Sequence, residues 1–207
     1  MKTRQEIKAI SKQQFSNNYW IAVGATILAM LIICVASYVL SFLIVPIYLL
    51  VTLPMVIGLN YFSLSIYRGE TPTIETMFTS GFSNYGRKLG GMLWMTLFTF
   101  LWMLLFIIPG IIKAIAYSMV PYILADHPNV TAKEALKISM RMTEGYKGDI
   151  FVMYLSFIGW LLLSGITFGL VGIFYSNPYM YLSFAGLYEE IKDHALETGT
   201  VHATELA

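Results

Sequence analysis

Six apolar stretches, delimited by prolines, glycines and charges, constrain this chain more than any other feature. They run over residues 19–44, 47–67, 89–108, 111–125, 150–173 and 178–188. The first, third and fifth are long enough to cross a hydrocarbon core of about 30 Å at about 1.5 Å per helical residue. The others are shorter or carry Pro54 and Pro121, so kinks, tilts or interfacial ends are expected of them. Only 12% of the 207 residues are charged, against about 25% in a soluble domain. A mean hydropathy of +0.67 agrees. Such a chain lacks the polar surface to cover a water-soluble globule, and a bilayer is its expected solvent. The predicted fold is all-α, with about six transmembrane helices in one integral-membrane domain over residues 1–207.

The stretches pair into three helical hairpins, with tight connections expected at Pro46, at Pro109-Gly110 and at Ser176-Asn177-Pro178. Polar segments 68–88 and 126–149 separate the pairs. Twelve of the 13 Lys and Arg then fall on one face: Lys2, Arg4, Lys8, Lys12, Arg68, Arg87, Lys88, Lys133, Lys137, Arg141, Lys147 and Lys192. The positive-inside rule makes that face cytoplasmic and puts both termini there. Only Lys113 falls on the other side, where its stem is expected to snorkel to the outer headgroups. The basic opening followed by a run from about Trp20 to Val45 exceeds a signal-peptide core of about 7–15 residues and reads as a retained anchor. Cys34, the one cysteine, is expected as a buried thiol; a single cysteine excludes a disulfide within the chain.

Internal repetition is the second signal. "FSNNYW" at residues 15–20, "FSNYGRK" at 82–88 and "MTEGYKGD" at 142–149 each precede an apolar run. Tyr61, Tyr117 and Tyr181 each precede an acidic residue by nine positions. The pattern predicts pseudo-repeats over about 1–70, 71–126 and 127–195, with a polar tail at 196–207. Each opens with an interfacial amphipathic helix. Thr131-Ala-Lys-Glu134 spells a capping box, followed by a face of Ala132, Ala135, Leu136, Ser139, Met142 and Thr143. Lys133, Lys137 and Arg141 form a basic stripe opposite, at i, i+4 spacing. Arg4, Lys8 and Lys12 form a similar stripe near the N-terminus, beside Ile7, Ile10 and Gln14. The middle copy has an apolar face of Ile74, Met77, Phe78, Gly81 and Phe82 without a stripe. Such helices lie in the headgroup plane with cations toward anionic lipid; a plain positive-inside anchor accounts for the same stripes.

No catalytic or metal constellation is legible, and no cofactor is expected. His127, His194 and His202 show no metal-ligand spacing, and Asp126-His127 reads as a turn before Pro128. Intramembrane polar residues are few: Asn60, expected to bond a neighbouring helix, and Lys113. No carboxylate is expected at mid-membrane, where an ion-coupled pump would carry one. Gly165 and Gly169 make a GxxxG in an apolar run, a candidate contact within the chain or for self-association.

"IPGIIKAIAYSMVPYILADHPNVTAKEALKIS", residues 108–139, resembles the bacterial integral-membrane family called domain of unknown function 975. The resemblance extends from "TRQEIKAISKQQFSNNYW" to "PYMYLSFAGLYEEIK". It implies a multi-pass plasma-membrane protein and carries no activity or catalytic residues across. The hairpin-plus-amphipathic-helix pattern is more distantly similar to the membrane portion of some glycerophosphodiester phosphodiesterases, which implies a lipid-related setting only.

Three function classes follow. A non-enzymatic accessory or scaffold protein would engage membrane lipids, anionic ones among them, or a partner membrane protein, through Arg4, Lys8, Lys12, Lys133, Lys137 and Arg141. A small transporter or lipid-transfer channel would need a path through the bundle. An intramembrane enzyme would need a cluster absent from this reading. No nucleic-acid partner is expected. The topology predicts that a cysteine replacing Lys137 (Lys137→Cys) reacts with a membrane-impermeant thiol reagent only once the cytoplasmic face is opened. Labelling in intact cells would overturn it.

Overall fold

The structure, a computed structural model, describes residues 3–40 and 45–206. All regular structure among these is helical. Helices α1 (Arg4–Asn17) and α2 (Tyr19–Leu40) are followed by α3 (Val45–Tyr67), α4 (Ile74–Phe82) and α5 (Tyr85–Leu105). Then come α6 (Ile107–Ala116), α7 (Val120–Asp126), α8 (Ala132–Met142), α9 (Lys147–Leu155) and α10 (Ile158–Ile166). A π-helical turn, Gly172–Ser176, leads into α11 (Asn177–Glu197).

Four helical segments are long and apolar enough to cross a membrane: Tyr48–Tyr67, Tyr85–Leu105, Ile107–Asp126 and Lys147–Ile166. The pair Arg4–Asn17 and Tyr19–Val35, bent by 90°, makes a fifth if counted as one span. This is compatible with a membrane protein. Sixty-seven per cent of the α3 span is buried inside the protein, against 17% for α5 and for α9–α10. The bundle therefore forms around α3. One side of α3, Ile57 and Leu64, joins the core of α6, α7, α8 and α11; another, Met55, Leu59, Phe62 and Ile66, packs with Phe15, Val23 and Met77. The outer helices expose Leu97, Phe100, Leu104, Leu161 and Leu162, an apolar surface of the kind a bilayer covers.

The three short helices α1, α4 and α8 are built alike. Each starts at a threonine capping box: Thr3 with Glu6, Thr73 with Thr76, Thr131 with Glu134. The first and last follow the Thr-x-x-Glu pattern, the last being the one expected from the sequence; threonine in place of glutamate hides the second. Four residues beyond each cap lies a residue with no exposure at all, Ile7, Met77 or Ala135. Eight residues beyond lies a small one: Ser11, Gly81 or Ser139. The small residue allows each helix to seat on the backbone of a long one. Ser11 Oγ donates to Leu182 O of α11 at 3.3 Å, and Ser139 Oγ to Ala116 O of α6 at 2.7 Å. A Cβ at Gly81 would lie 2.6 Å from Pro54 O of α3. The repeated "FSN" marks the joint into the long helix. Asn18 caps α1, and Asn84 takes a left-handed φ of 48° between α4 and α5, which asparagine tolerates. Gly145, at φ 86°, serves between α8 and α9.

Several expectations are corrected. Residues 41–44, where the first hairpin would turn, lie outside the described residues, and Pro46 falls in the first turn of α3. The second turn is the single extended residue Phe106 (φ −156°, ψ 137°), and Pro109-Gly110 sits inside α6. There Gly110 lets α6 approach α5, since its Cβ would meet Met103 Cα at 2.7 Å. The third turn is Phe168-Gly169, both at positive φ, and Ser176-Asn177-Pro178 lies within the long final helix at its π turn. A π turn re-spaces carbonyls ahead of a proline that cannot donate to them. Gly169 is thus a turn residue and shares no helical face with Gly165. Cys34 is exposed on α2; an apolar helix in lipid need not turn every apolar residue to protein. Ile74 and Phe82 are also exposed, because α4 is turned by its seat on α3.

Pro54 shows how one break is compensated. It has no N–H for the carbonyl of Leu50, and that carbonyl instead accepts from Tyr85 Oη at 2.8 Å. Gly81→Ala is expected to cost about 1–3 kcal/mol through overpacking, read as a lowered thermal midpoint of the detergent-purified protein. Gly24→Ala, whose added Cβ meets nothing within 4 Å, should leave the midpoint unchanged or raise it.

Candidate functional site

The C-terminal ends of α3 and α7 meet the middle of α11 in an ionic cluster. Arg68 donates twice to Asp126, at 2.8 and 2.7 Å, and once to Glu189 at 2.6 Å. Lys192 Nζ lies 2.9 Å from Glu189 and 3.5 Å from Asp126. Tyr188 Oη donates to Asp126 at 3.3 Å and its ring stacks on Tyr122. Burial would by itself depress the Arg68 guanidinium, but its bonds and proximity to Asp126, then Glu189, raise it well above the usual arginine range. His127 Nε2 also approaches Asp126, at 3.3 Å. Neighbours in sequence point apart on a helix, but His127 ends α7 in an extended conformation (φ −116°, ψ 90°), which brings the two side chains together. Two cations answer two carboxylates here. The cluster is a structural tie.

Elsewhere cations outnumber their partners. Lys133 lies over the Trp94 ring at 5.9 Å, and Arg141 pairs with Glu205 at 2.9 Å. Lys113 is the main correction. It does not stand apart from the other cations but beside α8, its Nζ 3.7 Å from Met140 Sδ and 5.4 Å from the Trp102 ring centre. The reason is tertiary. α6 turns back sharply at Phe106, and its carbonyl at Ala116 receives Ser139 of α8. Lys113, Lys137, Arg141 and Lys147 thereby line one groove of about 600 Å³, with Glu144 and Glu205 as its carboxylates. Four positive and two negative groups leave it at +2. Among the described residues, Lys113, Lys137 and Lys147 have no carboxylate within ion-pair distance. Glu205 is held below the usual carboxylate range by the His202 amide, then by Arg141.

The other stripe has different surroundings. Arg4 and Lys12 are exposed, whereas Lys8 donates to Ser156 Oγ at 2.8 Å and lies 4.5 Å from the Phe157 ring centre. The two stripes therefore form separate surfaces. Asn60 donates to Val56 O of its own helix rather than to a neighbour. It also lines an apolar cavity of about 480 Å³ among α3, α5, α6, α9 and α11, together with Ser118, Tyr122 and Phe184. No group of three or more metal-ligating side chains occurs among the described residues.

Asp126→Asn is expected to remove roughly 2–3 kcal/mol of stability, between the values for exposed and fully buried pairs, because it leaves Arg68 and Lys192 facing only Glu189. A thermal midpoint in detergent equal to that of the wild type would refute this.

The sequence model of one family, described as protein of unknown function (DUF975), matches residues 74–195, from the first residue of α4 to near the end of α11. No curated protein matches the chain, and no solved structure does. Over more than half its length, carrying the capped α8, the ionic cluster's Asp126 and the cationic groove, the chain belongs to the DUF975 family.

Proposed function

We propose that this is a multi-pass plasma-membrane protein with six spans, both termini cytoplasmic, and a non-enzymatic accessory role exercised by holding anionic lipid against its basic helices. One observation carries the reading: the cations of α8 gather Lys113 and Lys147 into a groove with spare positive charge. Those of the ionic cluster are balanced. Support for six spans comes from α2, which has 22 residues and no charge, and from the apolar stretch before Glu189 in the final helix. With α2 and that helix added to the four spans, every helical pair returns to the side where the chain begins.

The spans already anchor the protein, so the stripes are free for lipid choice, topology or partner docking. Ile112, Ala116 and Met140 give the groove an apolar wall, which suits acyl chains beside a charged headgroup better than a wholly polar partner. A small transporter or lipid-transfer channel is the second reading, favoured by the cavity beneath Asn60. Its apolar lining suits an acyl chain rather than a polar solute.

Replacing Lys133, Lys137 and Arg141 with glutamine should leave insertion intact, since the remaining basic residues still mark the inner side. Retention of phosphatidylglycerol or cardiolipin, read by native mass spectrometry, should fall by up to about fivefold for each cation removed, at about 1 kcal/mol per interfacial cation. Equal retention across a range of salt concentrations would leave the stripe as a topology signal only.

A further inference from the structure

We propose that the groove between α6 and α8 is a binding site for one phosphate-bearing anion, and that Glu205 is its built-in competitor. The proposal deepens the reading above and rests on it. Four cationic side chains reach the groove from three helices: Lys113 from α6, Lys137 and Arg141 from α8, and Lys147 from the start of α9. Such convergence is not a property of either sequence stripe. It requires α6 to fold back on α5 and α8 to seat on α6 through Ser139. Three of the four cations have no carboxylate within ion-pair distance among the described residues, Glu134 acting on Lys137 only from farther off, and mutual repulsion of such cations is relieved by an anion with several acceptor oxygens.

Of the four, Arg141 is the one in an ion pair, and its partner comes from far along the chain. Glu205 Oε2 accepts from Arg141 Nη2 at 2.9 Å and from the His202 amide at 3.1 Å. The segment that delivers it is anchored: Val201 and Leu206 are buried, and Val201 N donates to Ala195 O at 3.1 Å. Both partners of the ion pair are nevertheless about two-fifths exposed, with side-chain exposures of 41% and 36%. An exposed pair of this kind is weak. A phosphate group, with more charge and more acceptor oxygens than a carboxylate, can displace Glu205 from Arg141 without unfolding the segment that carries it. The wall of Ile112, Ala116 and Met140, continuous with exposed Ile111, offers a path for acyl chains. On that ground a lipid headgroup is favoured over an acidic polypeptide.

The test uses the full-length protein in detergent micelles, with phosphatidylglycerol, phosphatidylcholine and inorganic phosphate as probes, binding being read by native mass spectrometry. Wild type should retain phosphatidylglycerol over phosphatidylcholine. Glu205→Gln should raise the apparent affinity about two- to fivefold, the scale of an exposed ion pair removed from competition. Lys113→Gln, which leaves both stripes and the Arg141–Glu205 pair in place, should lower it, and Lys113→Arg should restore it at an unchanged thermal midpoint. Displacement of the lipid by inorganic phosphate alone assigns the site to a free anion; resistance to it assigns the site to the lipid headgroup. Loss of retention in the Lys133, Lys137 and Arg141 triple variant, with none in Lys113→Gln, overturns the groove while the reading above stands. Lower affinity in Glu205→Gln overturns the competitor role. Equal retention of both lipids by wild type, or an acidic polypeptide bound in their place, overturns the groove proposal together with that reading.

Discussion

Asp126 is the carboxylate on which the meeting of three helices depends. Its side chain is only 10% exposed, and an ionised carboxylate so placed is costly unless its oxygens are satisfied. Arg68, just past the end of α3, and Lys192 and Tyr188, one turn apart on α11, satisfy them. The fork of Arg68 matters most, because its planar donors bridge Asp126 and Glu189 at once. The cluster therefore fixes how far α3, α7 and α11 extend relative to one another.

The seats of α1, α4 and α8 obey one rule. Each short amphipathic helix contacts the backbone of a long one through a small residue eight positions after its capping threonine. Gly58, which faces Gly81 across the seat of α4, Ala116 and Leu182 each lie ten residues before a member of the cluster: Arg68, Asp126 and Lys192. The cluster is thus the point where three similarly placed positions converge. Close backbone approach through glycine or serine is how helices associate when surrounding lipid removes the hydrophobic drive between them. The amphipathic helices consequently pack against the bundle as well as presenting a polar face outward.

Function divides along the same line. Charges in the cluster are matched in number and geometry, so they specify structure. Charges around the groove are unmatched and line space large enough for a ligand. Lys88 shows a third use: buried in α5, it donates to Ser80 O and to Ser83 Oγ, at 2.9 Å for the latter, where α4 ends. A cation at a helix C-terminus is favoured by the helix dipole.

The apolar runs, the capping box at Thr131, the stripes and the family resemblance were all legible in the sequence, because each depends on residues within a few turns of one another. Helix type and amphipathicity are local properties. The turns were misplaced for a physical reason: Pro109 and Pro178 are tolerated in the first turn of a helix or beside a π turn, while Phe106 and Phe168, which carry the chain around, give no signal of turning. The paired arrangement that left Lys113 alone on the far side placed α8 apart from α6. Its real position beside Lys137 and Arg141 exists only because α6 folds back at Phe106 and Ser139 bonds Ala116. Arg68 and Asp126, separated by 58 positions, and Arg141 and Glu205, separated by 64, carry no local mark of their partnership. The sequence alone determined which residues form helix and where charge is allowed. Tertiary structure decided which charges meet, because long-range ion pairs form only where packed backbones bring their carriers together.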